Sequence, residues 1–281
     1  MIKTNYHTHS LYCDGQNTLE EMVLSAIDKG FSILGFSGHS MYPYSSSWHI
    51  PVNKINEYVT EVNTLKEKYR DKITILCGFE ADYIKGLTSP NKELYKKFNP
   101  DFLIGSVHFI YNKDFTFAVD DNATKLKENT EKYFNGDYKK LTCEYFLAQR
   151  EMLKTPNFEI IGHPDLIRKN NETLKMFTEK ESWYRKELKC TAKAIAKAGV
   201  IAEINTGAIA RKKMDDVYPA LQFLELLHEY KVPVTLSSDC HNAPDIDCAF
   251  ERAIQIACKA GYTELAYLDR DGTPKFEKIY L

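Results

Sequence analysis

The chain has 281 residues and a formal net charge of −2, because 37 basic residues nearly balance 39 acidic ones, and this balance argues against binding of nucleic acid through bulk positive charge. Hydrophobic residues make up 43% and charged residues 27% of the sequence, which is ordinary for a folded chain and excludes wholesale disorder. No apolar run approaches the roughly 20 residues that span a bilayer, and the first ten residues lack a signal-peptide core. We therefore expect a cytoplasmic protein without a membrane partner.

Seven short apolar runs, each bounded by polar or turn-forming residues, predict the strands of one sheet. Runs that are mostly apolar throughout are typical of parallel strands buried on both faces. These runs are residues 4–9, 33–39, 73–80, 102–108, 158–163, 200–205 and 234–238.

Helical patterns lie between these runs. Thr18 and Glu21 have the spacing of a capping box, and Gly30 is a natural end for the helix that follows them. Further helices are predicted for residues 52–69, 179–198, 217–230 and 247–260. Strand and helix alternate about seven times, which predicts either a (β/α) barrel or an open, doubly wound sheet.

The residues that end the strands favour the barrel. In a parallel barrel, functional groups project from the C-terminal ends of the strands. Six of the seven predicted strands end on a possible metal ligand: His7 with His9, His39, Glu80, His108, His163, and Asp239 with His241. No GxGxxG sequence follows the first strand, so a dinucleotide-binding sheet lacks its fingerprint. We expect a single barrel domain over residues 1–281.

Two of these strand ends carry a pair of ligands. His7 and His9 are two residues apart in a predicted strand, so their imidazoles point to the same side. Asp239 and His241 repeat this spacing after the last strand. The first and last strands are neighbours in a closed barrel, and we therefore expect the two pairs to meet around a cation.

The remaining candidates are favoured as metal ligands because donor residues recur at the ends of successive strands. Glu80 ends an apolar strand, and a buried carboxylate must be paired; binding to a metal is one solution, and a carboxylate can bridge two cations. Taken singly, His39, His108 and His163 are more typical of hydrogen-bonded structural histidines than of metal ligands. Their position at successive strand ends on one side of the sheet favours metal binding.

Other polar residues have simpler interpretations. Asp14 precedes Gly15, and Asp-Gly is typical of a turn. His228 lies in a predicted helix, and His49 lies in a loop that could line a pocket; both are left outside the metal site. The 7 cysteines are odd in number and form no CxxC pair, which argues against a disulfide framework or a cysteine zinc site.

Taken together, these residues resemble the PHP family of metal-dependent phosphoesterases, the polymerase and histidinol phosphatase superfamily. Within that family, Cys13-Asp14-Gly15 and residues 162–169 are most similar to the histidinol-phosphate phosphatases of histidine biosynthesis. The matching segments occur in the family's order: Tyr6-His7-Thr8-His9-Ser10, Gly38-His39-Ser40, Gly78-Phe79-Glu80, Gly105-Ser106-Val107-His108, Gly162-His163-Pro164 and Ser238-Asp239-Cys240-His241.

The resemblance implies an α/β fold, a distorted (β/α)7 TIM-like barrel with a trinuclear metal site at the C-terminal strand ends. Other family members have a histidine in place of Asp14. Nitrogen and oxygen donors suit Mn, Fe or Zn, and the sequence does not choose among them. The implied ligands are His7, His9, Glu80 and Asp239 for one divalent cation, Glu80, His108 and His163 for a second, and Asp14, His39 and His241 for a third.

The resemblance also implies hydrolysis of L-histidinol phosphate to L-histidinol and phosphate, by direct attack of a hydroxide that bridges two metals. Glu80 is expected to act as the bridging carboxylate. Asp239, or a network of metal-bound waters, is expected to pass a proton to the leaving alkoxide.

Two residues are expected to hold the substrate besides the cations and His39. Arg168 is the expected phosphate clamp, because a guanidinium binds phosphate oxygens in pairs, although a surface arginine is the alternative. Asp120 is expected to accept the substrate's amine, with Asp121, Glu203 and Asn205 as alternatives.

Other functions stay open at this point. A different PHP phosphoesterase would act on another phosphomonoester or a nucleotide, and a non-catalytic PHP module would only bind metal. An amidohydrolase-type barrel shares the HxH sequence but often uses a bridging lysine, for which no strand end offers a candidate. We expect a small-molecule substrate rather than nucleic acid, and the sequence does not predict an oligomeric state.

Overall fold

Seven parallel strands surround the centre of the computed structural model, which describes residues 2–279. The strands are β1 (Thr4–Asn5), β2 (Ile33–Phe36), β3 (His39–Ser40), β4 (Thr74–Asp82), β5 (Phe102–Ser106), β6 (Phe109–Tyr111), β7 (Thr116–Ala118), β8 (Ile160–Ile161), β9 (Ile201–Asn205), β10 (Val234–Ser237), β11 (Glu264–Leu268) and β12 (Pro274–Lys278). The main sheet has the order β1-β2-β4-β5-β8-β9-β10, and the short β3 pairs with β4. All seven predicted apolar runs contribute a strand to it.

The sheet closes through the residues that follow β1 and β10. Thr8 and Cys240 form a parallel bridge. The backbone N–H of His9 donates to the carbonyl of Cys240 at 2.8 Å, and the N–H of Cys240 donates to the carbonyl of His7 at 3.0 Å. These contacts join the first strand to the last, which confirms the predicted barrel of seven strands.

Helices surround the sheet. They are α1 (Leu19–Asp28), α2 (Ile55–Lys68), α3 (Lys92–Tyr95), α4 (Ala123–Phe134), α5 (Tyr138–Met152), α6 (Asn171–Leu174), α7 (Ser182–Ala198), α8 (Gly207–Ala210), α9 (Leu221–Glu229) and α10 (Phe250–Lys259). Thr18 and Glu21 form both hydrogen bonds of the predicted capping box before α1. Among residues 2–279, no helix combines the length and apolar character needed to cross a membrane.

Helices α7, α9 and α10 begin three or four residues later than the sequence predicts, and the structure shows why for α9. The pattern places a helix over 217–230, but α9 begins only at Leu221. Tyr218 instead pairs with Asn205, the last residue of β9. The backbone N–H of Tyr218 donates to the carbonyl of Asn205 at 3.0 Å, and the carbonyl of Tyr218 accepts from the N–H of Asn205 at 2.6 Å. Pairing with a strand end therefore overrides the local helical pattern at this point.

The core has two layers. An outer layer packs the sheet against the helices, and a smaller cluster fills the barrel near the N-terminal ends of its strands. This inner cluster consists of Tyr6, Ile33, Leu76, Phe102, Ile104, Ile160, Ile201, Ala266 and Leu268. The last two belong to β11, and the backbone N–H of Leu268 donates to the Tyr6 hydroxyl at 2.8 Å. The β11–β12 hairpin thus plugs one end of the barrel, and polar groups gather at the other.

The inner cluster generates a prediction about Gly35. A Cβ at this position would lie 2.8 Å from Cζ and 2.9 Å from Cε1 of Phe102, with Cα of Tyr6 next at 3.1 Å. We expect Gly35→Ala to lower the free energy of unfolding by about 1–3 kcal/mol, measured by urea denaturation. Phe102→Leu shortens the obstructing side chain, so the glycine substitution should cost clearly less in that background. An equal loss in both backgrounds would rule out this contact as the cause.

Candidate metal centre

The ends of the barrel strands bring all nine predicted metal ligands together. Their donor atoms form overlapping groups, in each of which the atoms lie within 4.8 Å of one another. The groups are His9 with Asp14, His39 and His241; His7 with His9 and Asp239; His7 with Glu80 and His163; and His39 with Glu80 and His108. Every ligand except Asp14 and His241 is buried.

Four donors lie close together at the ends of the first, third and last barrel strands. Nε2 of His7 lies 3.0 Å from Oε2 of Glu80 and 3.7 Å from Oδ1 of Asp239. Nε2 of His9 lies 3.7 Å and 3.2 Å from the same two atoms. These separations are close to the edge of a tetrahedron around a metal with bonds of about 2.1 Å, which is about 3.4 Å long.

Three of these atoms need a partner. Nε2 of His7, Nε2 of His9 and Oε2 of Glu80 are buried and make no hydrogen bond to any described residue. A buried polar atom without a partner costs about 1–3 kcal/mol, and most such atoms in proteins have one. A divalent cation between them would satisfy all three, so the residues fit a metal.

The Glu80 carboxylate also faces a second group. Its Oε1 lies 2.8 Å from Nε2 of His163 and 3.3 Å from Nε2 of His108, while its Oε2 faces His7 and His9. Each oxygen of one carboxylate therefore belongs to a different set of imidazoles. This is the geometry that a bridging ligand needs.

The third group is at the cavity surface. One oxygen of Asp14 lies 3.1 Å from Nε2 of His241, and the other lies 3.6 Å from Nε2 of His39. The turn that carries Asp14 passes close to the first strand, since a Cβ on Gly15 would lie 2.5 Å from the backbone nitrogen of Ser10. Asp14 is thus both the turn residue and the ligand candidate that the sequence offered as alternatives.

Charges within the cluster shift its pKa values strongly. Burial alone would lower the pKa of His7, but Glu203, Glu80 and Asp239 outweigh it and raise that pKa well above its usual value. Burial opposes the shift of His108 in the same way, and carboxylates again raise its pKa. Burial would raise the pKa of Glu80, but the neighbouring imidazoles hold it well below its usual range.

Two ligand candidates have unusual backbone conformations. The φ angles of His163 and Asp239 are 21° and 49°, in a region that residues other than glycine rarely adopt. The backbone N–H of His163 donates to Oε2 of Glu203 at 2.9 Å. Arg211 donates to the carbonyl of Asp239 at 2.7 Å and to its Oδ2 at 2.9 Å. Such strain persists only where neighbouring contacts enforce it, and it is concentrated at functional sites.

A cavity of about 470 Å³ opens above the ligands. Its walls include Trp48, Asp120, Lys169 and Arg211. Asp120 lies in the wall of this cavity, which the substrate role expected for it requires, and its carboxylate is 3.1 Å from Nζ of Lys169. Arg211, Lys169 and Trp48 also line the cavity, although they were not predicted as site residues from the sequence. Arg211 lies six residues after β9 in a loop that follows a barrel strand, which is the signal that could have identified it.

The structure places Arg168 outside this cavity. Its buried guanidinium donates to Glu179 at 2.8 Å, to Asp216 at 2.6 Å and to the carbonyl of Val217 at 3.0 Å. Asp165 lies 3.5 Å away. The expected phosphate clamp is therefore already bound by carboxylates of its own chain, and we assign it a structural position.

Glu203 and Asn205 also lie away from the cavity. Both side chains are fully buried. Glu203 accepts from Nδ1 of His7 at 2.7 Å, and Asn205 donates to Glu203 at 2.9 Å. They stand behind a metal-ligand candidate, so they do not offer an acceptor to a bound molecule.

Comparison with known proteins identifies a family and relatives to which this chain is similar. Residues 5–207 match the family model described as PHP domain. A probable histidinol-phosphatase of Schizosaccharomyces pombe is 27% identical over 283 aligned positions, which cover 96% of this chain and 90% of the relative.

Two solved structures have the same fold. A histidinol phosphate phosphatase of Lactococcus lactis, complexed with Zn, L-histidinol and phosphate, has a TM-score of 0.75 and 25% identity, and the match covers 98% of this chain and 99% of the other. A Listeria monocytogenes protein assigned in name only as a histidinol phosphatase has a TM-score of 0.79 at 20% identity, over 89% of this chain and 99% of the other.

The raised pKa values of His7 and His108 predict that metal binding releases protons. The raised pKa values favour the protonated form of both imidazoles at pH 7, whereas a metal can bind only the neutral ring. Titration calorimetry with Zn²⁺ in buffers of different ionisation enthalpy should show proton release at pH 7. The release should decline as the pH rises through the two raised pKa values, because the rings are then already neutral. Heats that are independent of the buffer at pH 7 would contradict this prediction.

Proposed function

The chain belongs to the PHP domain family, and from this membership we propose that it is a metal-dependent phosphomonoesterase that hydrolyses L-histidinol phosphate to L-histidinol and inorganic phosphate. The observation that carries the proposal is the set of unpartnered donors on His7, His9 and Glu80 beneath a polar cavity. The Lactococcus lactis structure supports the choice of substrate, because it holds L-histidinol and phosphate on a similar fold.

We infer that the donors hold three divalent cations of Mn, Fe or Zn. Two of the four overlapping donor groups share the Glu80 carboxylate, and another includes Asp14 at the cavity surface. When bound, such cations offset the charge of a phosphate dianion and lower the pKa of a coordinated water toward neutrality. The protein's part is to fix these cations at one end of the cavity, through side chains that come from six strand ends and one turn.

Arg211 is the residue we assign to the phosphate group. The hydrogen bonds found among the described residues use three of its five N–H groups: two reach Asp239 and one reaches His241. Its side chain lines the cavity beside the metal ligands. The remaining N–H groups are available to phosphate oxygens, and Lys169 adds a second positive charge on the cavity wall.

Acidic side chains suit the amine of the substrate. Asp120 and Asp121 both line the cavity, and an ammonium group is bound best by an ionised acceptor. Partial burial would raise the pKa of Asp120, but Lys169 and His108 hold it below its usual value. His39 lines the same cavity, and we retain it as a substrate contact together with its role as a ligand.

Asp239 is poorly suited to donate the proton that the leaving alkoxide needs. Burial would raise its pKa, but Arg211 and His7 hold that pKa well below the usual range. A carboxylate that is ionised at neutral pH has no proton to give. Of the two routes expected from the sequence, water in the cavity is therefore the better source, and Asp239 acts by holding its imidazole and guanidinium neighbours in place.

The proposal includes three further expectations from the sequence. The chain acts as one domain, since contacts between the strand ends of β1 and β10 close a single barrel. The protein acts in the cytoplasm. Its partner is a small phosphomonoester rather than a nucleic acid, in keeping with a net charge of −2.

Phosphate release tests the function. The Mn²⁺-loaded protein should release phosphate from L-histidinol phosphate faster than from a panel of other phosphomonoesters and from a nucleic-acid phosphodiester. Glu80→Gln keeps the shape of the side chain but removes the shared charge, so it should abolish release. Turnover of a different ester alone would refute the substrate and leave metal-dependent hydrolysis standing, whereas metal binding without any turnover would refute the enzyme.

A pair of arginine substitutions tests the assignment of the phosphate contact. At saturating metal, Arg211→Gln should lower kcat/KM for L-histidinol phosphate roughly 10- to 100-fold, the worth of hydrogen bonds to a charged group. Arg168→Lys should lower the midpoint of urea unfolding, because a lysine cannot reproduce the guanidinium contacts. It should leave kcat/KM within roughly threefold of wild type, since Arg168 lies outside the cavity. The reverse pattern of steady-state constants would return the phosphate contact to Arg168.

A further inference from the structure

A buried carboxylate that is not among the metal-ligand candidates lies directly behind one of them. Asp82 ends β4, two residues after Glu80, and its side chain is fully buried. Its Oδ1 lies 2.8 Å from Nδ1 of His108, and its Oδ2 lies 2.6 Å from Nε2 of His49. Nδ1 of His49 is in turn 2.7 Å from the hydroxyl of Ser46.

The chemistry of these groups fixes the direction of every hydrogen bond. Each oxygen of Asp82 faces a ring nitrogen of a different imidazole, and a carboxylate placed between two imidazoles accepts from both. His108 therefore donates through Nδ1–H, which leaves Nε2, 3.3 Å from Glu80, as the nitrogen that can bind a cation once its proton has left. His49 donates through Nε2–H, and its Nδ1 accepts from Ser46.

The same hydrogen bonds reach the wall of the cavity. His49 belongs to the segment 42–51, which we call the Trp48 loop. The indole of Trp48 packs on the ring of His49, with centroids 3.8 Å apart, and it meets the rings of His39 and His108 edge-on at 4.7 Å and 5.4 Å. A shift of the His108 ring would therefore be transmitted to Trp48 by two routes. One is the direct contact of the two rings, and the other is the chain of hydrogen bonds through Asp82 and His49.

We propose that Asp82 is a positioning residue that holds His108 in the tautomer and orientation required for binding a cation, and that His49 completes this contact and ties the Trp48 loop to the metal centre. The proposal rests on the proposed function, since it concerns the same site. Its test nevertheless uses metal binding, which does not depend on the identity of the substrate.

The affinity for Zn²⁺ alone, measured by competition with a chromogenic chelator, tests Asp82. Loss of a carboxylate behind a ligating histidine typically lowers metal affinity by about 10- to 100-fold. We expect a loss of this size in Asp82→Asn, with kcat largely restored at saturating metal, because the ligands themselves remain. Wild-type affinity in folded Asp82→Asn protein would overturn the role of Asp82.

Three substitutions of histidine test the second link. His49→Phe keeps a ring against Trp48 but removes the donor, and it should weaken Zn²⁺ binding roughly 3- to 10-fold, the worth of one hydrogen bond. His49→Gln can place an amide N–H near the former Nε2–H and should restore most of the affinity. His228→Phe is the matched control, because His228 is exposed and packs only against Tyr262 among the described aromatic rings. Equal affinity in the two His49 variants would overturn the role of His49, even if Asp82→Asn fails to fold.

Fluorescence of Trp48 tests the connection to the loop. The chain has 2 tryptophans, so Trp183→Phe leaves Trp48 as the sole indole. In that background Zn²⁺ should change the indole emission, and His49→Phe should reduce this change at saturating Zn²⁺. An unchanged response would overturn the link between loop and metal. Tight Zn²⁺ binding without hydrolysis of any phosphomonoester would instead defeat the proposed function and leave these measurements valid.

Discussion

An ionised carboxylate buried among imidazoles is the constraint on which the strand ends depend. Glu80 is fully buried, and its pKa is nevertheless held well below the usual range by the histidines around it. A buried charge is tolerated only where opposite charge and hydrogen bonds surround it. His7, His39 and His163 supply these contacts from the first, second and fifth barrel strands along the chain, so the charge of one residue determines where several strands must end.

The two ends of the barrel differ in their side chains: one end is filled by apolar residues, and the other holds the polar residues. The β11–β12 hairpin covers the N-terminal end with Ala266 and Leu268, which contact the apolar cluster inside. That apolar filling leaves the polar side chains only the opposite end. There the bridge between Thr8 and Cys240 brings the first and last strands together, and it sets His9 3.2 Å from Asp239. The backbone contact that closes the barrel therefore also assembles half of the candidate metal centre.

The sequence predicted what depends on short-range pattern and missed what depends on loop paths. Apolar runs ending on donor residues were sufficient to place all seven barrel strands and to bring Glu80 and its neighbours to one end. Tyr218 was wrongly assigned to a helix, because its pairing with Asn205 joins two distant segments. Arg168 was chosen for its place near His163, but its direction is set by Glu179 and Asp216, which the local sequence does not reveal.

The same limit explains why Arg211 and Asp82 were not found. Arg211 follows a barrel strand and Asp82 lies two residues after Glu80 in β4, but each becomes informative only through a distant partner. Arg211 contacts Asp239, which is 28 residues away. Asp82 contacts His49, 33 residues before it, and His108, 26 residues after it. A residue that acts through another residue leaves only a weak local signal, since its partners in space lie far from it along the chain.

Charge compensation explains how so acidic a cluster can fold. Without cations, the carboxylates raise the pKa values of His7 and His108, and the protons held there offset the negative charge. With cations bound, those protons leave and the metal takes over the same role. Either way the buried carboxylates have positive partners. Protons and cations thus compete for one set of imidazoles, and carboxylates such as Asp82 and Glu203 keep those rings aimed at the centre in both states.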